Sequence, residues 1–308
     1  MPLLRTAFIA LSRNRLLRQF SERSRMGIKL SSRFIAGMKI EDALRAAEWM
    51  NRQGIAVTLD SLGESVTSET EAHQAAEVYH QLLDAIAERK LDANISVKLT
   101  QMGLNLAPEL AESIARSLAQ HARAVASFVR IDMEDSSLTQ GTLEIVRRLN
   151  ALPDVRGAIG VVVQAYLYRS QADIEQLLVE GIRVRLCKGA YNEPAEVAFP
   201  RKADADSNYI RLSCMLLGSG IYHGLATHDE EMIAAAKSYA TQHRIEPGAF
   251  EFQMLYGVRR DLQRRLVREG YKVRVYVPFG QEWYPYFMRR LAERPANVLF
   301  ILKNLLRR

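Results

Sequence analysis

Cysteine is scarce in this chain of 308 residues, which holds only Cys187 and Cys214. The 26 residues between them suit neither a disulfide framework nor a metal cassette, so a reducing compartment is expected. Long apolar runs are missing as well. None approaches the ~20 residues of a membrane span. No small-residue cleavage site follows an apolar core near the N-terminus, so no secretory signal is expected. Low-complexity tracts, Pro/Gly/Ser linkers and short-period repeats are also lacking, which argues for one domain rather than an array. No G-x-G-x-x-G follows any strand-like run, and there is no Walker A sequence. The nearest glycine cluster, Gly218-Ser219-Gly220, ends a helical segment, where glycine serves as a C-cap.

What is present is charge, unevenly spread. Residues 1–33 carry eight Lys+Arg against one Glu, and residues 259–308 carry thirteen against four acids. The middle of the chain is therefore acidic although the whole is +7. Basic ends suit an anionic membrane surface. They equally suit solvated helix faces, and no aromatic-basic interleaving marks a nucleic-acid binder.

A second regularity is a rhythm of strand-like run, turn and amphipathic segment. The runs are 55–60, 94–100, 128–133, 158–165, 183–189, 224–229, 250–255 and 272–279. Between them, apolar residues recur at helical spacing, as in Leu106, Leu110, Ile114 and Leu118. The other helical segments cover about 69–90, 137–150, 169–180, 204–217, 229–242 and 257–269, with a last one at 283–293 ahead of Pro295. Eight strands alternating with helices mean parallel βαβ units, and eight without a break suggest a closed (β/α)8 barrel of the TIM type. A doubly wound sheet is the alternative, weakened by the missing glycine fingerprint. Residues 1–32 read as a basic helical N-terminal arm and 33–308 as the barrel domain.

Strand parity assigns faces. Ile95, Val97 and Leu99 oppose Asn94, Ser96 and Lys98; Val129 and Ile131 oppose Arg130 and Asp132. Val184 and Leu186 oppose Arg183 and Arg185; Val273, Val275 and Val277 oppose Arg274 and Tyr276. The apolar faces must meet the helix ring, so the polar faces point into the barrel. Barrel interiors are ordinarily branched apolar layers, and an unpaired charge there costs several kcal/mol or is neutralised. Repetition on four strands therefore implies paired charges around a bound molecule. The competing reading is an internal ion-pair network without a ligand.

Other features weigh less. His228-Asp229 lacks further ligands at metal spacing, so no metal is expected. Lys188 beside Cys187 would favour a thiolate, but a small strand residue is the simpler reading. The aromatic run Trp283, Tyr284, Tyr286 and Phe287 suits packing as well as substrate contact. Arg289 and Glu293 stand one helical turn apart, and Arg290 beside them completes a cluster suited to a carboxylate or phosphate.

Nine blocks, in order, resemble the signature segments of proline dehydrogenases. They are VTLDSLGESV (57–66), ISVKLT (95–100), VRIDMED (129–135), VVVQAYLYRS (161–170), VRLCKGAYNEP (184–194), FPRKAD (199–204), LATHD (225–229), FEFQMLYGVRRDLQ (250–263) and VYVPFGQEWYPYFMRRLAERPAN (275–297). The resemblance runs from about Arg33 to Asn297. It implies a (β/α)8 barrel holding FAD over its C-terminal mouth, with the last helix lying across that mouth. It implies oxidation of L-proline to Δ1-pyrroline-5-carboxylate, the first step of proline catabolism, by hydride transfer from C5 to flavin N5. Electrons would then pass to membrane quinone. The protein would be a cytoplasmic flavoprotein, with peripheral attachment to the inner membrane face as one use for its basic ends.

Carried over position by position, the resemblance makes Asp132 and Arg185 the active-site pair. Arg289 and Arg290 would bind the substrate carboxylate with Lys98; Glu293 would orient them, and Glu64 would gate the site by pairing with Arg289. Tyr276 and Tyr286 would wall the proline ring. Met133, Gln164, Arg185, Lys188, Gly189, Ala190, Thr227 and His228 would contact the flavin. Cys187 stands where an aliphatic residue is usual, and Asn192 replaces an aromatic of the bifunctional members; both bear on pocket shape. The length leaves no room for a fused aldehyde dehydrogenase domain, so the monofunctional form is expected. Alternatives are another flavin barrel, such as a methylenetetrahydrofolate reductase, or a basic membrane- or nucleic-acid-binding protein keeping the barrel as scaffold.

Overall fold

The computed structural model describes residues 31–63 and 65–293, the last five of these by backbone alone. Eight parallel strands close into a barrel in chain order. They are β1 (Ala56–Ser61), β2 (Ala93–Val97), β3 (Val129–Ile131), β4 (Ile159–Gln164), β5 (Arg183–Cys187), β6 (Gly224–Ala226), β7 (Glu251–Leu255) and β8 (Lys272–Phe279). β8 pairs with β1 from Ala56↔Arg274 to Ser61↔Phe279, which closes the ring. The predicted barrel is the observed one.

The helices are α1 (Ile40–Asn51), α2 (Glu69–Glu88), α3 (Pro108–Ala124), α4 (Thr139–Ala151), α5 (Ser170–Val179), α6 (Lys202–Gly218), α7 (Glu230–Gln242), α8 (Arg260–Arg268) and α9 (Trp283–Glu293). Local signals explain their starts. Ser68 accepts a hydrogen bond from the Glu71 amide (3.3 Å) at the head of α2. Asp229 does the same for Glu231 (3.1 Å) at the head of α7, and Pro108 opens α3. The seven outer helices from α2 to α8 lie within a few residues of the predicted spans. α1 was not anticipated. It buries Ala43, Leu44, Ala47 and Met50 and lies against β1 and β8, covering the seam where the barrel closes.

The strand faces divide as parity requires. Ile95, Val97, Val129, Ile131, Val184, Leu186, Val275 and Val277 are all fully buried in the layer between sheet and helices. At ~25 cal/mol per Å² this layer supplies the main stabilising term of the fold. The opposite faces carry Thr58, Ser96, Arg130, Arg185 and Gln253, also buried. β2, β3 and β6 end earlier than the sequence pattern suggests, at Val97, Ile131 and Ala226. The chain turns there to roof the barrel: Met102 donates its amide to Lys98 O (3.3 Å), and the Asp229 amide bonds Thr227 Oγ1 (3.1 Å). Among the described residues no helix is long and apolar enough to cross a membrane. The basic arm, residues 1–32, lies outside the described residues except for its last two.

Candidate active site

A cavity of about 710 Å³ opens where the C-terminal ends of the strands converge, within the size range of small-molecule and cofactor sites. Asp60, Lys98, Asp132, Met133, Arg185 and Tyr276 line it. Lys188, Gly189, Ala190, Thr227 and His228 line it as well. Tyr286 of α9 joins the lining, so α9 lies at the mouth and not in the outer ring. Its side chains Trp283, Tyr284, Phe287 and Met288 pack on Phe34, Ile35 and Leu62 as a separate apolar cluster.

Arg185 is the hub. Its Nη1 donates to Asp132 Oδ1 (2.9 Å) and Ser96 Oγ (3.1 Å), its Nη2 to Thr58 Oγ1 (3.3 Å), and its Nε to Gln253 Oε1. Ser96 in turn donates to Asp132 (2.6 Å), and Tyr276 donates to the other Asp132 oxygen (2.7 Å). Both oxygens of that carboxylate are thus occupied, which fixes its orientation. Burial, with Asp132 and Asp60 adding to it, pushes the Tyr276 phenol well above its ordinary value, so it remains a donor at any working pH.

A second pair lies beside it. Lys98 Nζ donates to Asp60 Oδ1 (3.1 Å), and Asp60 is almost wholly buried. Burial disfavours the Lys98 ammonium, but the Asp60 and Asp132 carboxylates overcome it and raise its pKa. Burial also raises the Asp60 carboxyl, against the pull of Lys98. Tyr79 reaches in from α2 and donates weakly to Asp60 (3.4 Å).

The remaining lining residues differ. Lys188 Nζ is shared between Asp206 (2.7 Å) and Asp229 (3.2 Å). His228 Nε2 accepts from the Leu255 amide (2.9 Å), and that acceptance requires an unprotonated nitrogen. Gly189 has φ +114, and an added Cβ would overlap the Tyr166 ring, so only glycine fits there. Gln164 donates to Glu134 O (2.6 Å), while its Oε1 is buried without a hydrogen-bond partner. Cys187 also lines the cavity, but burial pushes its thiol up to about 12 despite the Arg185 cation, so the neighbouring cations do not make it a thiolate.

The structure therefore brings Lys98, Asp132, Met133, Arg185, Lys188, Gly189, Ala190, Thr227, His228, Tyr276 and Tyr286 to one cavity, with Gln164 at the end of β4. Glu64 and the side chains of Arg289, Arg290 and Glu293 lie outside the described residues; the backbone of the last three continues α9. Sequence reasoning passed over Asp60, Thr58, Gln253 and Tyr79. Parity in β1 and β7 carried the signal for the first three, since they alternate with Val57, Leu59, Phe252 and Met254. Tyr79 gave none, because a helix residue ordinarily serves the outer ring.

The family profile described as proline dehydrogenase matches residues 43–303. Proline dehydrogenase 1 of Bacillus subtilis subsp. natto is 44% identical over 308 residues, 99% of this chain and 100% of that protein. The proline dehydrogenase of Deinococcus radiodurans is 42% identical over 283 residues, 90% of either chain. Among solved structures, proline utilization A from Bdellovibrio bacteriovorus, inactivated by N-propargylglycine, superposes with a TM-score of 0.82 at 28% identity. That match covers 87% of this chain and 33% of the longer protein.

Proposed function

Because the chain belongs to the proline dehydrogenase family, we propose that it oxidises L-proline to Δ1-pyrroline-5-carboxylate at the barrel mouth, with FAD as its cofactor. The observation that carries this reading is the Arg185–Asp132–Tyr276 network lining a cavity of about 710 Å³.

The residues present fit FAD. Gln164 offers a buried, unpartnered acceptor for a ring N–H. Gly189 leaves the backbone bare, and Lys188, Thr227 and His228 supply polar groups to the same cavity. Met133 and Ala190 complete the holding set. When bound, FAD supplies at its N5 the acceptor for the hydride that leaves proline C5.

The chain's own residues do the rest. Arg185 would place a fixed positive charge near the hydride acceptor, where negative charge develops as the hydride is received. Asp132 holds that guanidinium, and Tyr276 with Tyr286 walls the ring of the substrate. Lys98, Arg289 and Arg290 take the carboxylate, the two arginines by paired hydrogen bonds. Glu293 orients them, and Glu64 gates entry through Arg289. Holding C5 against its acceptor is a positioning effect, the larger part of what such a site must provide. Residues 33–308 form the catalytic domain on this reading. The basic arm, 1–32, brings it to the inner face of the membrane, where quinone takes the electrons.

The test is anaerobic mixing of the yellow protein with proline. Bleaching of the flavin bands is expected with proline and much slower bleaching with pyrrolidine, which has the ring but no carboxylate. A spectrum that stays oxidised at saturating proline ends the reading.

A further inference from the structure

Arg185 takes its partners from three strands and from the residue that follows β3, and one of them has a support of its own. Gln253 and Glu251 stand two apart on β7 and share its inward face, buried to 5% and 3% exposure. Gln253 Oε1 accepts from Arg185 Nε, and its Nε2 donates to Glu251 Oε1 (2.5 Å). Glu251 is itself held by Arg274 Nε (2.9 and 3.0 Å) and by the Tyr222 hydroxyl (3.0 Å). On the neighbouring strand, a Cβ at Gly224 would overlap the Gln253 amide, so β6 leaves room for it.

An amide can face a neighbour with either its oxygen or its NH2. Here the two neighbours have opposite demands. A guanidinium only donates and a carboxylate only accepts, so a flipped amide would place donor against donor and acceptor against acceptor. Glu251 therefore fixes which end of Gln253 meets Arg185. The contact made at Nε matters in a particular way. Asp132, Ser96 and Thr58 hold the two terminal nitrogens, about which the head could still pivot; an acceptor at Nε removes that freedom.

We propose that Gln253, oriented by Glu251, is a positioning residue that fixes the Arg185 guanidinium in its working attitude. The proposal rests on the reading of Arg185 given above. Its loss changes how well the charge is aimed and not whether substrate binds.

The experiment uses the FAD-loaded full chain and the variants Gln253→Leu, Gln253→Asn and Arg185→Met. The readouts are the rate of flavin reduction by proline, KM, FAD content and the flavin midpoint potential. Gln253→Leu is expected to slow reduction ten- to fiftyfold with KM within threefold and FAD retained. If reduced cofactor is stabilised tenfold less, its two-electron potential falls by about 30 mV. Gln253→Asn keeps the amide but withdraws it by one methylene, and should shift both readouts in the same direction by less.

Gln253→Leu and Gln253→Asn with rate and potential within twofold and 10 mV of the wild type, while Arg185→Met is crippled, overturn the proposal and leave the reading of Arg185 intact. A slow Gln253→Leu whose KM rises in step, with FAD lost, also overturns it, since that is general damage. An Arg185→Met protein that reduces its flavin normally removes the parent reading first.

Discussion

The two ends of the barrel interior carry the same kinds of residue and do different things with them. At the base, Arg130 Nη1 donates to the carbonyls of Val161 (3.2 Å) and Arg183 (2.6 Å), and its guanidinium lies over the Phe128 ring. Arg274 Nε donates to both Glu251 oxygens (2.9 and 3.0 Å), and His223 Nδ1 accepts from the Val184 amide (3.0 Å). None of these side chains reaches the cavity. At the mouth, Arg185 and Asp132 or Lys98 and Asp60 are also paired, yet each of them lines open space. A charge inside a barrel is therefore no sign of function by itself. Contact with a cavity, at the strand ends where loops can vary, separates a working group from a structural one.

The comparison breaks most visibly at Arg185. Arg185→Met should lower the rate of flavin reduction by proline about 10²–10³-fold, the usual loss for one preorganised charge-stabilising donor. Melting should fall as well, because the buried Asp132 carboxylate then keeps only the neutral donors Ser96 and Tyr276, a cost of about 3–5 kcal/mol. Rapid-mixing kinetics on protein kept below its melting point read the rate apart from that loss. A fully active variant would put Arg185 with the base instead.

The base should answer to acid. Burial, with Arg130 adding to it, lowers the His223 pKa to about 3, so the folded protein keeps this imidazole neutral while the unfolded chain protonates it near 6.5. The unfolded state then binds the extra proton, and stability present above pH 6.5 is lost as pH falls toward 3. Between pH 7 and 5 that loss is about 2 kcal/mol from the shift of His223 to about 3. His223→Gln, which can still accept from Val184, should lose about 2 kcal/mol less than the wild type over that interval in urea titrations. Parallel pH profiles would mean that His223 is protonated in the folded protein.

The smallest effect sharpens the rule from the mouth side. Cys187 lines the cavity, but its thiol stays protonated because burial pushes it up to about 12. Cys187→Ala should leave proline turnover within threefold and cost about 1 kcal/mol of stability for the lost packing. A much larger loss of turnover, or rapid alkylation at pH 8, would make it a reactive group after all.

How much of this was legible in the chain varies with the kind of signal. The barrel was readable because strand and helix periods differ and eight alternations leave few closures. The inward charges on β2, β3, β5 and β8 were readable from parity. α1 was missed because it precedes the first strand, outside the repeating unit, and its stripe of Ala43, Leu44, Ala47 and Met50 is short. Asp60 and Gln253 were missed although parity marks them, because β1 and β7 hold no Lys or Arg to flag the polar face. Strand ends at the mouth were overdrawn by as many as three residues, since Thr100 and Asp229 still continue an extended pattern after the ladder has stopped.

The sequence by itself determined the period, the alternation of faces and the family, because these depend on neighbours along the chain. It could not decide which charge meets which. Arg185 lies 53 residues from Asp132 and 127 from Thr58, and the closing β1–β8 register joins the two ends of the fold. Those partners are set by barrel closure alone. So is the protonation of Cys187, where burial that only the packed barrel creates outweighs the pull of the Arg185 cation.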